Sequence, residues 1–140
     1  MRWVILAGLI LLAGCQPALQ ESAIRVRVVA VVDGDTLDAQ TQEGDRVRVR
    51  LLGIDAPETA KRDAVGECGA EEARAALMAL VYDRDVDLVQ DARSDQVDRY
   101  GRRLGYIEVG GRDVGDELIR SGLVERSEEH TSELQSRVDL

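Results

Sequence analysis

At 140 residues the chain is long enough for one domain with one hydrophobic core. Its 27 acidic residues against 18 basic ones give a net charge of −9. Non-specific affinity for nucleic acid comes from neutralising phosphates, so this balance argues against a passive nucleic-acid coat, and a nucleic-acid site here has to be locally basic or borrow its positive charge from a metal.

The first residues are not part of a fold. Met1 and Arg2 give a short positive start, Trp3 to Ala13 is nearly all apolar, and Leu12-Ala13-Gly14-Cys15 closes the run with small residues before a cysteine. This is the pattern of a secretory signal, and the run is short for a membrane span, which needs about 20 residues. Leu-Ala-Gly-Cys resembles the lipobox of bacterial lipoproteins, the alternative being a plain signal peptide with an incidental cysteine. On the lipoprotein reading residues 1–15 are the signal, Cys15 carries the lipid, residues 16–23 are a tether, and the protein is secreted and held at the membrane outside the cytoplasm. Cys68 then has no intramolecular partner and is a free thiol, with no disulfide framework or zinc site.

Ile24 to Val32 is rich in β-branched residues, with Arg25 and Arg27 alternating against Ile24, Val26 and Val28 as in a half-buried strand. Asp33-Gly34 is a turn signal before a second strand near Thr36 to Gln40, and Glu43-Gly44-Asp45 is another turn. Arg46 to Leu51 alternates strictly, three arginines on one face and Val47, Val49 and Leu51 on the other. These segments predict an antiparallel meander. From Ala70 the period becomes helical, with Ala70, Ala73, Leu77 and either Leu80 or Val81 on one face. Short strands follow at Val86 to Val89 and Leu104 to Val109. Asp113 can cap a last helix with Asp116 in its first turn and Gly122 as its stop. Five strands with an interposed helix suggest a small, partly closed barrel of the OB type.

The run Arg126 to Ser136, RSEEHTSELQS, resembles the conceptual translation of a common sequencing adapter. Residues 126–140 are therefore expected to be an artefactual tail, the alternative being a polar solvated end. His130, the one histidine, lies in it, so no histidine base or nucleophile–histidine pair serves the domain over residues 24–125.

Four acids, Asp33, Asp35, Asp55 and Glu58, fall at expected strand ends or in loops, where a meander can bring side chains together. Oxygen ligands of this kind suit a hard cation such as Ca²⁺. Taken singly, Asp33-Gly34-Asp35-Thr36 and Asp55-Ala56-Pro57-Glu58 are better read as turns built from turn-forming residues. Their occurrence together with Arg50 and Arg102 reverses that balance, because two carboxylates for a metal, a third for a water and two guanidiniums for a phosphate make a coherent phosphodiesterase set.

At these residues a family resemblance becomes specific. VVDGDT, RLLGIDAPET, GAEEARAAL, DRYGRRLGYI and GRDVGDELIRSGLV stand in the order and rough spacing of staphylococcal nuclease-like (thermonuclease) domains, over essentially all of Ile24 to Val124. The resemblance implies a mainly β (α+β) fold, a five-stranded OB barrel with two helices, and the family's further C-terminal helix is not found before the adapter-like run. It implies Ca²⁺ held by Asp35, Asp55 and the backbone carbonyl of Ala56, phosphate bound by Arg50 and Arg102, and water activated by Glu58. The implied activity is cleavage of DNA and RNA to 3′-phosphate and 5′-hydroxyl ends by a monomer. Tyr100, beside Arg102, is read equally as a nucleotide contact or as a rim or core tyrosine. The rival expectation is an OB module that binds nucleic acid or protein without cutting, and a third is a truncated, less stable and inactive fragment.

Overall fold

The computed structural model describes residues 22–128. The apolar leader, Cys15 and residues 129–140 lie outside the described residues, as does most of the stretch read as a tether. Among the described residues no helix is long and apolar enough to cross a membrane.

Strand β1 (Ser22–Asp33) follows the expected alternation. Val26 and Val28 are buried, while Arg25 and Arg27 stay exposed and pair with Asp87, Asp83 and Asp85. β2 (Thr36–Thr41) and β3 (Arg46–Leu51) complete an antiparallel meander, with Val28 opposite Ala39 and Thr36 opposite Arg50. The register of β1 on β2 shifts between Val28 and Ala30 and again between Val31 and Asp33. Such bulges bend a strand and increase its twist. The bent strand can therefore pair with β2 on one edge and with β5 (Asp85–Gln90) on the other.

β5 pairs antiparallel with β6 (Arg103–Val109), and β6 returns to β3 in parallel through Val49↔Arg103, Arg50↔Leu104 and Leu51↔Gly105. The order β3-β2-β1-β5-β6 with β3 joined to β6 is a closed five-stranded barrel of the OB kind. Its filling is aliphatic, with Leu37, Leu51, Leu77, Leu88, Ile107 and Leu118 essentially without solvent contact.

Helix α1 (Ala70–Val81) buries Ala70, Ala73, Leu77 and Val81 against the barrel, so Val81 rather than Leu80 completes its apolar stripe. Helix α2 (Val114–Ser121) begins at Asp113, whose side chain accepts the N–H of Asp116, and stops at Gly122 in the left-handed conformation with φ 73°. Both ends are where the cap residues predict them.

The structure adds three two-residue strands: β4 (Ile54–Asp55), β7 (Arg112–Asp113) and β8 (Glu125–Arg126). A pair of residues carries no period, so these were not readable as strands. β4 pairs with β8, Asp55 opposite Glu125, and this draws the chain after α2 against the Asp55 loop.

Candidate active site

The end of the β1–β2 hairpin is where the site begins. Asp35 is buried at 5% exposure and shares out its oxygens: Oδ1 accepts the Thr36 hydroxyl at 2.9 Å and Oδ2 accepts the Ala56 N–H at 2.9 Å. Its backbone carbonyl accepts the Leu51 N–H at 2.8 Å, which ties the hairpin to β3. Burial pushes the Asp35 carboxyl above its ordinary range, and Arg50 with the two hydrogen bonds partly offsets this.

Arg50 is the hub. Nη1 donates to the carbonyls of Leu51 and Ile54 at 2.8 and 2.9 Å, and Nη2 lies 3.2 Å from Asp55 Oδ1 and 3.3 Å from Asp35 Oδ2. Two carboxylates thus converge on one positive position, one buried and the other largely exposed. Together with the peptide of Ala56, which Asp35 holds in place, they make an oxygen donor set whose chemistry fits a hard divalent cation. No group of three or more His, Cys, Asp or Glu side chains gathers at metal-binding distance among the described residues, so any such ion relies on the backbone oxygen and on water as well. Arg50 itself is only 9% exposed with both terminal nitrogens engaged, so its first task is to organise the loop from Leu51 to Asp55.

Asp33, grouped with the other acids in the sequence, does something different. Its Oδ1 accepts both the N–H, at 3.3 Å, and the hydroxyl of Thr59. It is a buried anchor for the loop that carries Glu58 rather than a member of the ligand set. Glu58 sits on the surface, its own N–H donated to the Glu67 carboxylate at 2.8 Å and its carboxylate paired with the Lys61 ammonium.

Arg102 approaches from the loop before β6. Asp98 holds it twice, accepting the backbone N–H at 2.9 Å and Nε at 2.7 Å, which leaves neither terminal nitrogen hydrogen-bonded to another described residue. Burial works against the charge on Asp98, but its bonds from Arg102 and from the Tyr100 N–H prevail and hold the carboxyl below its ordinary range. Tyr100 is 69% exposed, and its ring lies 4.8 Å from the Arg99 guanidinium carbon and 5.4 Å from that of Arg102. It is a rim residue between two cations, not a core tyrosine. A cavity of about 320 Å³ opens beside the acidic face, lined by Asp55, Ala56, Pro57, Glu67 and residues 122–125.

All the expected residues from 35 to 102 are therefore placed, with Asp35, Arg50, Asp55 and Ala56 in mutual contact and Glu58 and Arg102 on loops at the rim. The residues that hold them, Asp98, Thr59, Glu67 and Lys61, were not singled out from the sequence. Only Asp98 had a local signal, since an aspartate two residues before Tyr100-Gly101 is an Asx-turn pattern.

The family model described as staphylococcal nuclease homologue matches residues 48–139. Protein ParB of Escherichia coli is 45% identical over 103 residues, covering 74% of this chain and 51% of that protein. An uncharacterized endonuclease of Haemophilus influenzae is 31% identical over 122 residues, 87% of this chain and 63% of its own length. The thermonuclease of Staphylococcus hyicus is 31% identical over 97 residues, 69% of this chain and 56% of its own length. The chain thus spans less than two thirds of each of these curated relatives. With its barrel, its arginine-bridged carboxylates and a family match over most of its length, the chain belongs to the family of staphylococcal nuclease homologues.

Proposed function

We propose that this domain hydrolyses phosphodiester bonds of DNA and RNA in a Ca²⁺-dependent reaction, leaving a 3′-phosphate and a 5′-hydroxyl. The observation that carries the reading is the single guanidinium nitrogen of Arg50 shared by Asp35 and Asp55, next to the Ala56 peptide. A pure binding module has no use for two carboxylates drawn together in an acidic chain, since they repel the ligand. Asp35, Asp55 and the Ala56 carbonyl would hold the ion, which when bound supplies Lewis-acid polarisation of a phosphate oxygen.

The chain's own groups account for the rest. The two terminal nitrogens of Arg102 donate to the non-bridging oxygens as charge builds on phosphorus, the bidentate geometry that suits a guanidinium. Glu58 takes the proton of the attacking water as the new P–O bond forms and the bond to the 5′ oxygen breaks, and that oxygen takes up a proton from solvent to leave as the hydroxyl. Tyr100 offers an exposed ring on which a base can stack. We extend the proposal to a monomeric enzyme tethered outside the cytoplasm through a lipid on Cys15.

The test is cleavage of a fluorescent single-stranded substrate. Removal of Ca²⁺ by excess chelator is expected to abolish turnover, and undiminished cutting would defeat the metal assignment. Arg102→Ala should lower kcat by roughly 10³-fold and Glu58→Ala by roughly 10²-fold or more, both with unchanged far-UV circular dichroism. Wild-type turnover in either variant, or binding by wild type without any cleavage, would favour the non-catalytic module instead.

A further inference from the structure

Lys61 stands three residues after Glu58, and its ammonium is hydrogen-bonded to the Glu58 carboxylate. A surface lysine three residues from a glutamate is ordinarily a weak, incidental pair. Three observations set this one apart.

The backbone under it is fixed. Thr59 is held by Asp33, and the loop closes on itself through Glu58 N–H to the Glu67 carboxylate and Glu67 N–H to the Glu58 carbonyl. Lys61 and Ala64 exchange reciprocal N–H to carbonyl bonds at 3.1 Å, so the residue that bears the ammonium sits in a miniature hairpin. A cation on such a platform needs little reorganisation to meet a ligand.

The ammonium also faces more than Glu58. Its charge is favoured first by Glu58 and, more weakly, by Asp33, and is opposed by Arg102. A cation at such a rim gains most when a second anion arrives, and Glu58 is a single anion. With 64% of the Lys61 side chain and 59% of the Glu58 side chain exposed, the pair is screened and readily exchanged.

Finally, the pairing conflicts with the proposed role of Glu58. An ammonium bonded to one Glu58 carboxylate oxygen takes up part of the acceptor capacity of the proposed base, so the departure of Lys61 leaves both oxygens open to water.

We propose that Lys61 is a substrate-binding residue that changes partner, leaving the Glu58 carboxylate of the free protein for a phosphate of the bound strand. The inference rests on the phosphodiester reading of the same site and names the strand itself as the trigger that frees the base. An arriving phosphate neutralises both Lys61 and Arg102, and Glu58 is released at the moment substrate is in place.

The test separates binding from cutting. Equilibrium binding of a fluorescein-labelled single-stranded DNA by the full chain is measured in chelator across a salt series. Each phosphate contact on a single strand contributes about 0.7 to the slope of log affinity against log salt, so Lys61→Ala should weaken binding and flatten the slope by about that amount. Lys61→Arg should restore it. Glu58→Gln should tighten binding in the presence of Lys61 and do so less in the Lys61→Ala background.

In turnover with Ca²⁺, Lys61→Ala should raise KM severalfold with kcat little changed, the pattern of a contact made in the ground state. A slope equal to that of wild type, no binding by wild type, or a loss confined to kcat would overturn the proposal. If wild type binds without cutting, the nuclease reading falls while the slope still decides the role of Lys61.

Discussion

Arg50 shows how one side chain can be legible by type and illegible by duty. Its place in an alternating strand and its spacing from Asp55 mark it as a site residue in the sequence. That it would be buried, with both terminal nitrogens committed to two carbonyls and two carboxylates, depends on the chain from Leu51 to Asp55 curling back over it and on Asp35 arriving from the β1–β2 hairpin. Removing it leaves Asp35 buried without its counter-ion. Arg50→Met is expected to destabilise the fold by about 3–5 kcal/mol in urea unfolding, and Arg50→Lys should recover little because an ammonium cannot serve four acceptors in one plane. Stability close to wild type in either variant would contradict the hub role. Asp38 is a simpler case: its two oxygens take Nε and Nη2 of Arg48 at 2.7 and 3.0 Å. The hydrogen bond from Arg48 lowers the Asp38 carboxyl below its usual 3.8. A depressed carboxylate stabilises the fold above the unfolded value and loses that contribution as pH falls through the folded one. Asp38→Asn should therefore cost about 1 kcal/mol at neutral pH, Arg48 being half-exposed. That cost should vanish in strong acid, and a cost that persists there would assign it to packing.

Elements with a period were readable, and elements held by distant partners were not. The valine alternation of β1, the alanine–leucine stripe of α1 and the capped ends of α2 all emerge from spacing alone. The loop from Ala56 to Gly69 does not, because its anchors join positions far apart in the chain, Asp35 to Ala56 and Asp33 to Thr59. Gly34 lies between those two aspartates. A Cβ there would meet the Cβ of Ala73 at 2.7 Å and that of Ala56 at 2.8 Å, so the hairpin, α1 and the loop touch at a point with no room for a methyl group. Gly34→Ala should cost about 1–3 kcal/mol by overpacking and depress turnover further, since it pushes Asp35 and Ala56 apart. Unchanged stability would mean that α1 yields freely. At α2, burial raises the Asp113 carboxyl above 3.8, so the folded state holds its proton longer and stability falls as pH rises from 3.8 through the folded value. Asp113→Asn keeps the cap acceptor without the charge and should be at least as stable as wild type at neutral pH. Asp113→Ala should lose about 1 kcal/mol. Thermal melts of the pair separate cap from charge.

At the scale of the molecule, ring closure fixes where the Arg102 loop stands relative to Arg50. Arg50 is in β3 opposite Leu104 of β6, two residues beyond Arg102, so the parallel seam sets the distance between them. That seam is short, three register pairs with the Leu52 N–H bonded to the Gly105 carbonyl at 3.0 Å. The antiparallel β5–β6 ladder also has three register pairs, while the other neighbouring barrel strands share five or six. The amide of Leu52 should accordingly exchange with solvent through an opening smaller than global unfolding, and activity in rising urea should fall ahead of far-UV circular dichroism. Coincident curves, with Leu52 protected as strongly as Val28, would show the seam to be as firm as the core.

That seam also orders events in time. A growing chain carries Asp35, Arg50, Asp55 and Glu58 long before β6 exists, yet none of them can meet Arg102 in the proper register until residues 103–105 have been made and have docked on β3. On the proposed reading, the strand that completes the ring is thus also the last part of the site to form, and cleavage has to wait until residues 103–105 are in place.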